Sequence, residues 1–316
     1  MSNKRKIIIL TVLSIVLIAG FLFMDIGSNW EYILKRRAMK LISIVLTGAA
    51  IAFATVVFQT ITNNRILTPS IIGMDSLYML VQTLLVFSLG ANQLIFINST
   101  TNYLFSVGSM VLFALLLYQL MFRGEGRNIY FLLLIGIILG TLFSSMSSFL
   151  QVLIDPNEFL LIQDRMFASF NNVKTELLNI SLVLFIVTIL YAWRFLKYLD
   201  VLALGREHAI NLGVDHAYVV KRLLIVVAIL IAIATALVGP ITFLGLLVAN
   251  VSYELMKTYK HSYLIPAAVL ISIIALAGGQ LIVERVFTFS TTVSVIINLI
   301  GGIYFLYLLL KENRTW

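Results

Sequence analysis

Residue types that commonly carry catalysis or bind metals are scarce in this sequence. Its 316 residues include 3 histidines, 14 acidic residues and no cysteine, which excludes disulfides, thiolate metal sites and cysteine nucleophiles. His208, His216 and His261 lack the spacing of a metal site, so we expect all three to be surface residues of loops. Paired carboxylates and a serine–histidine arrangement are also missing. The sequence therefore predicts no catalytic residue and no metal site.

The sequence also lacks the usual signals of nucleotide binding and of proton coupling. The phosphate-binding pattern G-x-x-x-x-G-K-[ST] is absent, and so is any Gly-Lys pair, so we expect no cofactor to be bound by this chain. Asp75 and Glu284 lie near the ends of apolar stretches and not deep within them, where coupling carboxylates usually stand. For Asp75, capping of a helix start is favoured over proton coupling, and both stay open.

The composition of the chain indicates that its polar residues are positioned by membrane-spanning helices. Hydrophobic residues make up 61% of the chain and charged residues 11%, with a mean hydropathy of +1.04. A helix needs about 20 mainly apolar residues to cross the hydrocarbon core. We predict an all-α, polytopic membrane protein forming one domain over residues 1–316, with an uncleaved first helix and ten spans at 7–26, 41–61, 71–90, 103–122, 129–153, 177–196, 219–238, 241–256, 264–284 and 292–310.

The distribution of lysine and arginine predicts that both termini lie in the cytoplasm. In this orientation Arg165, Lys174 and Arg285 lie outside. A basic cluster just before the second span also lies outside, against the rule, and it consists of Lys35, Arg36, Arg37 and Lys40. Anchoring to anionic lipid headgroups is one explanation for this cluster.

The run "LALGREHAINLGVDH", residues 202–216, is the most polar of its length and falls in the loop at about 198–218, between the sixth and seventh spans. Its residues predict a short helix from about Arg206 to Leu212, a left-handed stop at Gly213 and a helix cap at Asp215. Two short helices would then meet at a glycine. An apolar side is predicted from Ala209, Ile210, Leu212 and Val214. A solvated connector and a contact surface for a partner both remain open.

Small and polar residues recur at helical spacing in two spans. On the fifth, Ser144, Ser148 and Gln151 continue a face that begins with Gly136 and Gly140. On the tenth, the face contains Thr291, Ser294, Asn298 and Gly301. Close helix packing explains the glycines best. For the polar residues we favour a translocation pathway.

Several segments, in order along the chain, resemble the permease subunits of binding-protein-dependent ABC importers for iron chelates and cobalamin. They are "TGAAIAFATVVFQTITNNRILTPSIIGMDSLY", "LALGREHAINLGVDHAYVVKRLL", "VGPITFLGLLVANVSYELMKTYKHSYLIPAAVL" and "IGGIYFLYLLLK". Ala249 and Asn250 replace the proline and histidine usual in that family. The run "VANVSYELMKTYKH" looks more like permeases for catecholate siderophores such as enterochelin, petrobactin or anguibactin.

The resemblance implies a transport subunit, not an enzyme, in the bacterial cytoplasmic membrane. ATP and magnesium would be bound by separate ATPase subunits. The other implied partners are an extracytoplasmic substrate-binding lipoprotein, a second permease in a homodimer or heterodimer, membrane lipid and a ferric siderophore; no nucleic acid is expected. Another iron chelate, haem or cobalamin is the alternative cargo. An ion-coupled secondary transporter is a weaker alternative, because the coupling residues are missing.

The resemblance also implies roles for individual residues. The fifth and tenth helices would line the central passage. Arg37 and Lys40 would face carboxylates of the binding protein, with Arg285 as a third contact. The 198–218 loop would form coupling helices that sit in a cleft of the ATPase, and the residues of that surface would be Gly205, Arg206, Glu207, Ala209, Leu212, Gly213 and Val214.

Overall fold

The computed structural model describes residues 2–24, 29–94, 98–122, 129–171 and 173–312. Within these ranges the chain is helical, without a β-strand, so the all-α prediction is confirmed. A short 3-10 helix covers Pro69–Ile72. The α-helices are α1 Asn3–Phe23, α2 Trp30–Thr62, α3 Met74–Leu94, α4 Ser99–Phe122, α5 Ile129–Leu153, α6 Pro156–Met166, α7 Thr175–Trp193, α8 Leu196–Leu202, α9 Arg206–Asn211, α10 His216–Val238, α11 Leu244–Met256, α12 His261–Arg285 and α13 Val293–Glu312.

Ten of these helices coincide with the ten predicted spans. Seven are long and apolar enough to cross a membrane by length and composition, namely α1, α2, α4, α5, α7, α10 and α12. Three shorter apolar helices, α3, α11 and α13, account for the remaining spans. With 13 residues, α11 is about 20 Å long and falls short of the hydrocarbon thickness. The chain segment 239–243 before it is non-helical.

The centre of the bundle is built on α2 and α10. Their most apolar stretches are 78% and 72% buried, whereas that of α1 is only 17% buried. The two central helices pack against each other, and α12 packs along the other side of α2. Small buried residues of α2, such as Ala50 and Ala54, allow this close approach. The more exposed apolar residues of α1, α5 and α7 leave an outer surface suited to lipid.

A non-helical stretch enters the bundle before α3. Thr68 is extended, as expected before a proline, and Gly73 closes the 3-10 turn with φ +88°. A side chain at Gly73 would have its Cβ 2.8 Å from the Cα of Gly140, and one at Gly136 would have its Cβ 2.7 Å from the Cα of Ile72. The glycines of the fifth span therefore serve packing, as predicted, and they cover backbone that lipid could not satisfy.

Two short helices differ from the predicted elements. The connection between the fifth and sixth spans contains α6, whose start is capped by Asp155 accepting from the backbone N–H of Asn157 at 2.8 Å. The other is α8, which precedes α9 in the loop at 198–218. The short helices α8 and α9 are separated by a turn that contains Gly205, whereas Gly213 lies between α9 and the long α10. The prediction that Gly213 joins two short helices is therefore wrong.

Candidate coupling, passage and docking sites

The loop between α7 and α10 folds as its local sequence signals predict. α9 ends at Asn211, and Gly213 has φ +81°. The backbone N–H of Val214 donates to Ala209 O at 3.0 Å across this turn. Asp215 then caps α10 by accepting from the backbone N–H of Tyr218 at 3.0 Å. The loop is therefore a defined corner and not an unstructured connector.

One face of this loop is exposed and partly apolar. Leu204, Ile210 and Leu212 are all exposed large hydrophobic residues. Exposed polar groups surround them, including Arg206 and Glu207. Ala209 is instead completely buried against its own chain, so its predicted place on the contact surface is wrong. Gly205 and Val214 are half-buried, and Gly213 is exposed.

His261 has a role that the sequence did not reveal. It is buried at the first residue of α12, so the prediction that it is a surface residue is wrong. Its Nδ1 lies 2.6 Å from Asp200 Oδ1, which also accepts from the backbone N–H of His261 at 2.8 Å. Its Nε2 lies 2.7 Å from Thr60 Oγ1. The imidazole therefore joins α8, α12 and the end of α2; its position at the start of an apolar span was the signal for burial.

The opposite ends of α2 and α12 are joined by an ion pair. Lys40 Nζ lies 2.9 Å from Glu284 Oε1, and each side chain is 11% exposed. Gln280 donates to the same carboxylate oxygen at 2.8 Å. The ring of Phe289 lies 5.3 Å from Lys40 Nζ, within the range of a cation–π contact. Lys40, a predicted docking residue, is therefore largely buried and paired within its own chain.

The two arginines of the predicted docking site bind the end of α1. Arg37 Nη1 donates to the carbonyls of Phe21 and Leu22, both at 3.2 Å, and to Met24 O at 2.5 Å. Arg285 Nη2 donates to Met24 O at 3.2 Å. Unpaired carbonyls and the helix dipole make a helix C-terminus a favourable place for cations. Lys35 and Arg36, in contrast, are exposed.

The predicted passage residues of α5 divide into exposed and packed positions. Ser144 and Ser148 are exposed, and Ser144 donates to Ser76 at 3.0 Å. Gln151 is half-buried and donates to Ser147 at 3.0 Å. α5 therefore presents Ser144 and Ser148 on an open face of this chain, while Ser147 is buried.

The corresponding residues at α13 lie against other parts of the chain. Ser294 is completely buried and donates to Ala168 O at 3.4 Å. Asn298 is half-buried and accepts from the backbone N–H of Phe243 at 3.3 Å. Thr291 is half-buried at the turn before α13. α13 therefore holds the non-helical segment 239–243 in place.

In the part of the chain that the structure describes, no group of three or more histidine, cysteine, aspartate or glutamate side chains could hold a metal ion. Asp75 stands in the first turn of α3, as predicted for a residue at a helix start. Its Oδ1 accepts from the Thr235 hydroxyl of α10 at 3.2 Å. Asp75 therefore fastens the start of α3 to the central helix.

Seven helices that could span a membrane, three shorter apolar helices and a structured polar corner, all within the described residues, are the architecture of a multi-pass membrane protein. The chain belongs to the FecCD transport family, which it matches over residues 6–311. It is 64% identical over 316 residues to the petrobactin import system permease protein YclO of Bacillus subtilis, covering 100% of both chains. A second B. subtilis relative, the petrobactin import system permease protein YclN, is 26% identical over 286 residues, covering 88% of this chain and 85% of that protein.

A solved structure agrees with the fold. The inward-facing conformation of a metal-chelate type ABC transporter has a TM-score of 0.84 and 24% identity, covering 98% of this chain and 100% of that chain.

Proposed function

We propose that the chain is a membrane permease subunit of an ATP-driven importer for a ferric siderophore, with petrobactin as the first candidate cargo. The observation that carries this proposal is the 64% identity to a petrobactin import permease over the whole of both chains. The hydroxyl-bearing open face of α5 supports a passage that contacts its cargo weakly, because tight binding would oppose release.

The partners follow from what this chain lacks. It has no phosphate-binding loop, so separate ATPase subunits bind ATP and magnesium. An extracytoplasmic lipoprotein delivers the cargo. YclO and YclN are two different petrobactin import permeases of one organism, B. subtilis, and both resemble this chain. A heterodimer of two permeases is therefore favoured. The basic residues Arg206, Lys221 and Arg222 near α9 favour a cytoplasmic position for this loop, and with it cytoplasmic termini in the bacterial membrane.

The ATPase contact consists of the exposed part of the loop. Leu204, Ile210 and Leu212 provide the apolar centre, with Arg206 and Glu207 at the rim. Charged rims around a buried apolar centre are the usual anatomy of a protein interface. Movement of this surface reaches the spans through α8, because Asp200 holds His261 and His261 holds Thr60. The loop, α2 and α12 therefore move together.

The opposite side docks the binding protein, with Lys35 and Arg36 as the contact charges. Both are exposed and have no partner among the described residues, whereas Arg37, Lys40 and Arg285 have partners inside the chain, and of these three only Arg285 is itself exposed. Reversal of Lys35 and Arg36 to glutamate should weaken association, because rim charges govern encounter. Pull-down with a binding protein whose facing carboxylates are changed to arginine should restore association. Equal loss with either binding protein would assign these residues to lipid anchoring instead.

The experiment that tests this function is reconstituted uptake. The chain is placed in proteoliposomes with its ATPase and a second permease, and uptake of iron-55 petrobactin is followed with binding protein present. We expect uptake that requires both ATP and the binding protein. A parallel complex with an ATPase that binds but does not hydrolyse ATP is the control. Equal uptake in this control would contradict the proposal, as would uptake driven by an ion gradient alone.

A further inference from the structure

A polar cavity of about 350 Å³ lies on the side of the bundle opposite α8 and α9. Its walls come from α3, α4, the end of α6, the end of α10 and the connection between α6 and α7. The volume falls at the lower end of the roughly 300–1,000 Å³ typical of small-molecule sites. None of the predicted passage, coupling or docking residues lines this cavity.

The floor of the cavity is a network of buried, uncharged polar side chains. Gln82 Nε2 donates to Asn102 Oδ1 at 3.2 Å and to Ser106 Oγ at 2.8 Å. Gln82 and Ser106 are each 1% exposed. On the α4 wall, the Tyr103 hydroxyl accepts from Ser181 at 2.8 Å. Such groups are costly inside membrane spans and tend to mark a functional region.

Two cations stand over this floor. Arg165 is half-buried and donates to Gln82 Oε1, and exposed Lys174 donates to Ser99 Oγ at 2.5 Å. In the described ranges neither cation is paired with a carboxylate within 4 Å. In the predicted orientation both cations lie on the outer side of the membrane, where basic residues are less common. Their positions therefore call for an anion that the chain itself does not supply.

We propose that this cavity binds the carboxylate group of a small, oxygen-rich anion that enters from the side opposite α8 and α9. A guanidinium presents a planar fork of donors that matches a carboxylate, and the remaining donors of Arg165 are suited to that role. The Tyr103 hydroxyl and the Asn102 amide then bind further oxygen atoms of the same molecule, because both N–H groups of Gln82 already donate within the floor. Asp164, exposed at the rim, repels an anion and so lowers its affinity for the cavity.

The cavity adjoins the non-helical segment that α13 holds. Gly239, at its wall, lies so close to Ala168 that an added Cβ would be 3.0 Å from the Ala168 Cα. Ser294 of α13 donates to Ala168 O on the other side of this contact. If the anion is the cargo, which rests on the proposed function, the cavity is a site that the cargo occupies early in transport. Ala168 and Gly239 separate this site from Ser294 of α13.

The test uses citrate as the probe and the full-length chain in phosphatidylcholine nanodiscs, with binding followed by calorimetry. We expect saturable binding, weakened about tenfold or more in Arg165→Gln, partly restored in Arg165→Lys and strengthened in Asp164→Asn. Arg222→Gln is the matched control, because it removes the same charge from the far end of α10, where Arg222 stacks on Tyr218. That variant should bind citrate as the wild type does.

Failure of the wild type to bind citrate, or equal affinity in Arg165→Gln, would overturn the proposal. Loss of the signal when phosphatidylglycerol is added to the nanodiscs would also overturn it, by assigning the cavity to a lipid headgroup. The assay needs no ATPase, so its result is independent of reconstituted uptake. Citrate binding without uptake would reject only the proposed function, and uptake without citrate binding would reject only the cavity.

Discussion

The two ends of the α2–α12 pair are joined by different chemistry. At one end Lys40 and Glu284 form a largely buried ion pair between the two helices. At the other, about 30 Å away along α2, His261 joins Thr60 of α2 to Asp200 of α8. The first contact holds two spans together, whereas the second also attaches them to the polar loop.

This difference separates a structural contact from a transmitting one. The Lys40–Glu284 ion pair joins only α2 and α12, so it does not connect these helices to a partner outside the membrane. The His261 contact includes α8, which leads directly into the exposed surface of α9. Variants at the ion pair should therefore affect stability, and variants at His261 should affect coupling more than stability.

The largest expected effect is on stability, from Glu284→Ala. This variant leaves the Lys40 ammonium buried without its carboxylate, which should lower the free energy of unfolding by about 3–5 kcal/mol. Thermal unfolding in detergent measures the loss. The double variant Lys40→Met, Glu284→Leu removes both charges and should recover most of it. A double variant no more stable than Glu284→Ala would show that the charge pair is not the source of the effect.

A smaller loss of stability but a larger loss of coupling is expected from His261→Ala. Removal of the imidazole leaves Asp200 and Thr60 without their shared partner, at a cost of about 1–3 kcal/mol. ATP hydrolysis in proteoliposomes should continue while siderophore uptake falls. His208→Ala, which removes an exposed histidine of α9, should change stability by less than about 0.5 kcal/mol. Uptake unchanged in His261→Ala would remove this residue from the coupling path.

Gly213→Val should cost about 1–2 kcal/mol, because a β-branched residue is disfavoured at φ +81°. Apart from its two chain neighbours, nothing lies within 4 Å of the position of an added Cβ, so the effect comes from the backbone and not from a clash. Stimulation of ATPase activity by loaded binding protein should be lost. Gly213→Asn is the control, since asparagine tolerates the left-handed region better. Normal stimulation and uptake in Gly213→Val would refute the role of this turn.

The smallest effect is expected from Asn298→Leu, which removes the acceptor of the Phe243 backbone N–H at a cost of about 1 kcal/mol. Uptake should slow without weaker association with the binding protein. Labelling of Asn298→Cys with a hydrophilic maleimide reports access directly, because the native chain has no cysteine. A thiol that never reacts in any nucleotide state would exclude Asn298 from the passage.

Sequence patterns predicted the spans well because each needs only a long apolar stretch. The helix α9, the turn at Gly213 and the cap at Asp215 were also predictable, since their signals are local. Pairings between distant segments were not. Lys40 and Glu284 are 244 positions apart, and His261 and Thr60 are 201 apart, so no local pattern predicts either contact. Local patterns consequently place Lys40 and His261 at the surface, although both side chains are buried in contacts within the chain.

Distances between spin labels, measured by double electron–electron resonance, test the central claim that His261 passes movement of the loop to α2. Spin labels at exposed positions Lys197→Cys and Val183→Cys report movement of α8 relative to α7, and labels at Ile42→Cys and Val183→Cys report movement of α2. We predict that ATP binding by the complex shifts both distances in the wild-type background and only the first in His261→Ala. A shift of the α2 distance in His261→Ala as large as in the wild type would contradict the account.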